Sequence, residues 1–463
     1  MPVPEMFSLE SFAPEKFEAH HSMDLRGEKV DFTSVCEDFV FYAPDGTPEA
    51  TIFTISYLRD DATADRPVMF LWNGGPGSAT STLHLECFGP WQIDQQHGQA
   101  AFGLHENDQC LLDRCDLVFV DPVGLGLSRL LRHEKAGKFY SVDGDARSVA
   151  FLILSWLHRH HRFHSPVYLT GESYGTIRAM RVLAELGRSP FSESRMVPGL
   201  PVKGVVLIGM AVEDPAIPST LSHMPDMAAT HWYHLPEKPA LQAQFVEEAC
   251  RFAREEVLPL LFLGEAAGEK QLQDAAERLS GYTGLSQDYW VQNRLLLRSP
   301  DDIQKRSLPG YTLDLYDSRN KTPDGEPYQL LGGDNIPLLV MNDLLLPRLG
   351  VTSERIYYTG NLNIHAQFSF ETEDLPEGLR KSHVDCLREA MERTRDMQVL
   401  VASGLYDLCT PAGTTEYILR HSHLPGDRVS FRMYPGGHGI YSSEEGKRTF
   451  LEDVRSMLEG QKH

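Results

Sequence analysis

The sequence predicts an α/β chain organised around a mostly parallel central sheet, with a helical segment inserted late in the core. Three observations carry this reading. Short, almost continuous apolar runs recur at residues 68–72, 117–120, 167–169, 205–208 and 399–401, each ending in a glycine-rich or polar turn, and such runs suit strands buried on both faces. Between the second and third run, Ala146, Val149, Leu152, Ile153 and Trp156 recur at helical spacing, and a helix joining two buried strands makes a βαβ unit and hence a parallel sheet. From about residue 212 to 340 the pattern changes. Leu241, Phe245, Ala249 and Phe252, then Leu272, Ala276 and Leu279, keep helical steps.

Taken in order, residues 1–30 are polar and proline-containing, and a loosely ordered lead-in is expected there. Residues 39–42 and 51–57, joined by the turn Ala43-Pro44-Asp45-Gly46, predict an antiparallel hairpin. The core is expected over 31–211 and 341–463, the helical lid over 212–340, with strand-like runs resuming near 338–341 and again at 399. A length of 463 residues would suggest three domains at about 150 residues each. One core with one insertion accounts for it better.

The net charge of −22 argues against a general nucleic-acid binder or an anionic-membrane binder, both of which need basic surface. No apolar stretch reaches the roughly 18 residues needed to cross a bilayer. The N-terminus lacks the basic start and apolar run of a secretory signal. A soluble cytoplasmic protein is therefore expected, unless a precursor was trimmed. The seven cysteines (36, 87, 110, 115, 250, 386 and 409) include no CxxC pair, which excludes a zinc ribbon, and they are too few for a dense disulfide framework. His158, His160, His161 and His164 stand with Arg159 and Arg162 at a helix end, where they complement the helix dipole rather than hold a metal. No P-loop or dinucleotide fingerprint is present, and neither metal nor cofactor is expected.

Gly171-Glu172-Ser173-Tyr174-Gly175 has the GxSxG form and stands between the strand at 167–170 and a helix-compatible run at 177–186. That is the context of a nucleophile elbow, where a sharp turn with small flanking residues exposes the serine hydroxyl. A serine of ordinary acidity needs a base, and the base needs an acid to fix its tautomer. Asp407, after the strand at 399–401, and His438, in Pro435-Gly436-Gly437-His438-Gly439 after the strand-like 429–434, follow in the acid-then-histidine order. Oxyanion donors are expected from the Tyr174 N–H and from Asn73-Gly74-Gly75-Pro76-Gly77, which follows the strand at 68–72. Glu172 beside the nucleophile is either solvated or kept protonated by burial. A neutral acid there would donate to a substrate carboxylate, with the Asn73 amide and the Gly74 N–H assisting.

Asn73-Gly74-Gly75-Pro76-Gly77, Asp121-Pro122-Val123-Gly124-Leu125-Gly126-Leu127-Ser128, Gly171-Glu172-Ser173-Tyr174-Gly175 and the late Asp407 and His438 together resemble the serine carboxypeptidase family. In Ser165-Pro166, Gly175-Thr176-Ile177-Arg178, Tyr282-Thr283-Gly284-Leu285-Ser286, Asp317-Ser318-Arg319 and Tyr406-Asp407-Leu408 the chain is most similar to the signal-poor prokaryotic branch. The resemblance implies an α/β-hydrolase fold with a helical lid, and release of C-terminal residues from peptides through an acyl-enzyme; Glu172 beside the nucleophile and the net charge of −22 add the expectation that mild acid favours it. It implies Ser173 as nucleophile, His438 as base, Asp407 as its orienter, Gly75 and Tyr174 as oxyanion donors, and Asn73, Gly74 and Glu172 as ligands of the substrate's terminal carboxylate. The substrate is then a peptide with a free C-terminus, with no nucleic-acid or membrane partner.

Two departures stand out. Where secreted members carry a glutamate two residues before a Gly-Pro, this chain has Cys87, with Glu86 one place earlier. The cysteine that those members place three residues after the catalytic Asp is displaced to Cys409, with Thr410 at three. An esterase or acyltransferase of the same fold, and a non-catalytic scaffold, are the alternatives. The oligomeric state is open, with a homodimer among the options.

Overall fold

The computed structural model describes residues 12–96, 99–187, 200–212, 216–327, 335–372 and 382–460. Among these, nine strands form one sheet: β1 (Lys16–Leu25), β2 (Glu28–Tyr42), β3 (Pro48–Arg59), β4 (Val68–Trp72), β5 (Asp116–Asp121), β6 (Val167–Glu172), β7 (Val202–Ile208), β8 (Gln398–Gly404) and β9 (Val429–Tyr434). Their spatial order is β1-β2-β3-β5-β4-β6-β7-β8-β9. β1 to β3 are antiparallel and β3 meets β5 antiparallel; from β5 to β9 all neighbours are parallel. The five apolar runs fall in β4, β5, β6, β7 and β8, and every residue of β4, β5 and β6 is buried. A strand covered on both faces has no solvent side on which to alternate.

Helices α1 (Val142–Arg159) and α2 (Tyr174–Leu186) follow β5 and β6 and pack on each other, and α3 (His383–Arg393) packs on α2. Ser141 caps α1 by accepting from the Gly144 N–H at 3.2 Å. The last helix, α4 (Glu444–Leu458), lies against β7, β8 and β9. The register sets the strand ends level: Trp72 pairs with Gly171, Glu172 with Ile208, Ile208 with Ala402, and Gly404 with Tyr434. Loops after β4, β6, β7, β8 and β9 therefore open on one carboxyl edge, where an open α/β sheet places its site.

Residues 219–306 are mainly helical and build a second apolar cluster of their own, with Phe245, Ala249, Phe252, Leu272, Ala276 and Leu279 all buried in it. Leu241, the first residue of that expected stripe, precedes its helix and is exposed. Tyr406 and Leu408, which flank Asp407, complete the second cluster, so the helical segment packs directly on the loop after β8.

Two expectations fail. Residues 16–30 are not a loose lead-in: β1 pairs with β2 along its whole length through the two-residue turn Arg26-Gly27, both at positive φ. As an edge strand with one wet face, β1 stays half polar and so escapes a hydrophobicity reading. Residues 1–11 of that lead-in lie outside the described residues. The apolar run at 338–341 is not a strand either. It belongs to a continuous helical run over 336–348, with Pro337 in its first turn, that buries Val340, Met341 and Leu345 in the main core. A short apolar run carries no periodicity to separate the two states. The helical run also crosses the expected lid boundary at 340/341.

Candidate active site

Ser173 closes β6 and opens α2 with φ 57° and ψ −129°, a left-handed conformation that costs a non-glycine residue of order 1 kcal/mol. The flanking glycines are dictated by contact. A Cβ on Gly171 would lie 2.1 Å from the Gly175 carbonyl oxygen, and one on Gly175 would lie 2.9 Å from Trp72 Cδ1. The Ser173 N–H donates to the Ile208 carbonyl at 2.8 Å, pinning the elbow to the end of β7.

The next residue after Ile208 lies against His438: a Cβ on Gly209 would sit 3.2 Å from its Cε1 and 3.3 Å from its Nδ1. His438 Nδ1 is 2.7 Å from Asp407 Oδ2. A carboxylate only accepts, so Nδ1 carries the proton and Nε2 keeps the basic lone pair. Asp407 is fully buried and accepts further from the Cys409 N–H (2.8 Å), the Thr410 N–H (3.1 Å) and the Thr410 hydroxyl (2.5 Å). Burial alone would depress the His438 imidazolium. The Asp407 carboxylate, by charge and hydrogen bond, and Glu172 outweigh it and raise the pKa to about 9.

On the other side of the elbow, Gly74 packs on its backbone so closely that a Cβ would lie 2.6 Å from both the Tyr174 nitrogen and the Glu172 carbonyl oxygen. Gly75 has φ 104°, where a side chain would also meet the Gly77 nitrogen. The loop thus presents bare backbone beside the Tyr174 N–H.

Glu172 is buried, not solvated. Its Oε1 accepts from Asn73 Nδ2 at 2.8 Å and its Oε2 from the Tyr441 hydroxyl at 2.5 Å. Burial pushes its pKa up; the His438 charge and the two hydrogen bonds pull the other way, and Asp407 adds to the rise. Half-buried Glu86 titrates at about 7, raised by desolvation and by Glu172 and opposed by Lys447. The displaced glutamate thus still lies within electrostatic reach of Glu172. It also lines a cavity of about 490 Å³ with Gln92, His105 and Lys447.

All eight residues singled out in the sequence lie at the carboxyl edge, six in its loops, Glu172 at the end of β6 and Tyr174 at the start of α2. The sequence reading gives no role to Tyr441, Thr410, Arg178 or Asp145. Thr410 was legible in part, since it occupies the displaced position three residues after Asp407. Tyr441 carried no signal beyond its closeness to His438. The run from Asp121 to Ser128 is architectural. The Ser128 hydroxyl donates to the Asp121 carbonyl at 2.6 Å and accepts from the Phe53 N–H at 2.7 Å, and Asp121 Oδ1 accepts from the Thr80 N–H and the Tyr357 hydroxyl. Nor do the clustered histidines form one group: His160 pairs with buried Glu37 at 2.6 Å and stacks on Trp156.

A family model described as serine carboxypeptidase matches residues 45–253. The chain is also similar to solved structures. The crystal structure of Kex1(delta)p, a prohormone-processing carboxypeptidase from Saccharomyces cerevisiae, is 14% identical with a TM-score of 0.53 and covers 92% of this chain and 90% of its own. A proline iminopeptidase from Mycobacterium smegmatis is a weaker likeness, at 12% identity, a TM-score of 0.38 and coverage of 92% and 97%. No curated protein matches the sequence significantly. The fold is that of the α/β hydrolases, and the match to the serine carboxypeptidases supports a serine hydrolase with carboxypeptidase or related activity. All seven cysteines are free thiols, so no disulfide braces the helical segment. Among the described residues no helix is long and apolar enough to cross a membrane.

Proposed function

We propose that the protein is a serine carboxypeptidase that releases C-terminal residues through an acyl-enzyme. Ser173 Oγ attacks the last peptide carbonyl while His438 Nε2 takes its proton, with Asp407 holding the imidazole tautomer. The Gly75 and Tyr174 N–H groups receive the developing oxyanion. His438 returns the proton to the departing amino acid, and water then hydrolyses the Ser173 ester by the same steps.

The observation that supports an exopeptidase over a general esterase is buried Glu172, held by Asn73 and Tyr441 beside the nucleophile. An anion there would repel both the oxyanion and a substrate carboxylate. A protonated Glu172, with the second Asn73 amide hydrogen and the Gly74 N–H, offers three donors to a chain terminus. Mild acid favours this recognition because it supplies that proton.

Digestion of a mixed peptide library read by mass spectrometry tests the proposal. Stepwise loss of single C-terminal residues, absent in Ser173→Ala, is expected. Internal cleavage, or turnover of esters without any peptide, would contradict it.

A further inference from the structure

We infer that Arg178 is a positioning residue: it orients the peptide that carries the Gly74 N–H and so ties terminal-carboxylate recognition to the oxyanion donors. The inference rests on the carboxypeptidase reading above. Arg178 lies one turn after Tyr174 in α2, and its side chain is only 1% exposed. Nη1 donates to the Asn73 carbonyl at 2.6 Å and Nε to Asp145 Oδ2 at 2.7 Å. The same Asp145 oxygen accepts from the Tyr174 hydroxyl at 3.1 Å, and the guanidinium carbon is 5.2 Å from the Tyr174 ring centre.

The consequence follows from peptide geometry. In a trans amide the carbonyl and the next N–H point in opposite directions, so fixing the Asn73 oxygen fixes the direction of the Gly74 N–H. A cation on that oxygen also polarises the amide and strengthens its N–H as a donor. The Gly75 N–H is one peptide further along. The Asn73 side chain is held as well, Oδ1 by the Leu83 N–H at 3.0 Å and Nδ2 by Glu172. Trp72 Nε1 adds a second tie from the end of β4 to the Gly175 carbonyl at 2.8 Å. The donors contributed by the loop and by the helix are thus registered through one buried guanidinium, with Asp145 aligning the guanidinium and the Tyr174 ring together. Lysine keeps the charge but lacks the planar fork that reaches two acceptors at once.

Steady-state kinetics of wild type, Arg178→Lys and Asp145→Asn on a blocked dipeptide with a free carboxylate and on a p-nitrophenyl ester of the same acyl group test the inference, alongside thermal melting. Arg178→Lys is expected to lower kcat on the ester by on the order of 10- to 100-fold, the scale of a misdirected oxyanion donor. A further several-fold loss in kcat/KM is expected on the dipeptide, where the Gly74 donor also counts. Asp145→Asn, which preserves shape, is expected to lose several-fold in the same pattern, and guanidinium ion is expected to restore part of the activity of Arg178→Ala. Arg178→Lys within about threefold of wild type on both substrates would overturn the inference. So would losses in either variant that follow the melting temperature alone with no guanidinium rescue. A wild type that cleaves the ester but not the dipeptide would instead overturn the carboxypeptidase reading, and the ester arm would still test the oxyanion half.

Discussion

Tyr441 donates its hydroxyl hydrogen to Glu172 Oε2 at 2.5 Å, and both side chains are buried. A tyrosine three residues beyond His438 thereby helps to set the protonation of the acid one residue before Ser173. Removing it by Tyr441→Phe takes away a hydrogen bond that lowers the Glu172 pKa, so that pKa should rise. The expected outcome is a preference for peptide acids over esters that persists to higher pH than in wild type. At neutral pH kcat/KM on the blocked dipeptide should therefore rise relative to that on the ester. Parallel pH profiles of the two substrates check both.

The two titrating centres act in opposite directions with pH. His438 must be neutral to act as base, and its pKa is raised to about 9, so ester hydrolysis should climb with pH and level off above that value. Burial raises the Glu172 pKa above the ordinary carboxylate value, so its proton, and with it carboxylate recognition, is lost as pH rises. The ratio of peptide-acid to ester turnover should therefore increase as pH falls.

Thr410 contributes both its N–H and its hydroxyl to Asp407. Thr410→Val keeps the shape and removes the hydroxyl donor, which should lower kcat by on the order of tenfold on esters and peptides alike. Thr410→Ser should recover most of the loss. Equal kcat for Thr410→Val and wild type would show that the displaced position plays no part in orienting the base.

Ser173→Ala leaves the strained backbone as it is and removes only the hydroxyl. Melting should shift little, while turnover drops by on the order of 10³-fold or more. Covalent labelling by a fluorophosphonate probe should vanish in the same variant.

The parallel part of the sheet was legible because strands covered on both faces, such as 68–72 and 167–169, must be continuously apolar. β1 was not legible because Lys16–Leu25 is an edge strand with one solvent face. The run at 338–341 was misread because four apolar residues fit a strand or a buried helix equally well. At the site, the elbow and the glycine loop declare themselves, since only small residues fit 2–3 Å from neighbouring backbone. Tyr441 was hidden as a partner of Glu172 because it reaches Glu172 only through packing, 269 residues away in sequence.

The central claim is that buried Glu172, with Asn73 and Gly74, recognises a chain terminus. The most direct measurement compares kcat/KM on one blocked dipeptide with that on its C-terminal amide, at pH 5.5 and 8. The account predicts a clear preference for the free acid that grows toward the lower pH and collapses in Glu172→Gln. Equal rates on acid and amide at both pH values would contradict it.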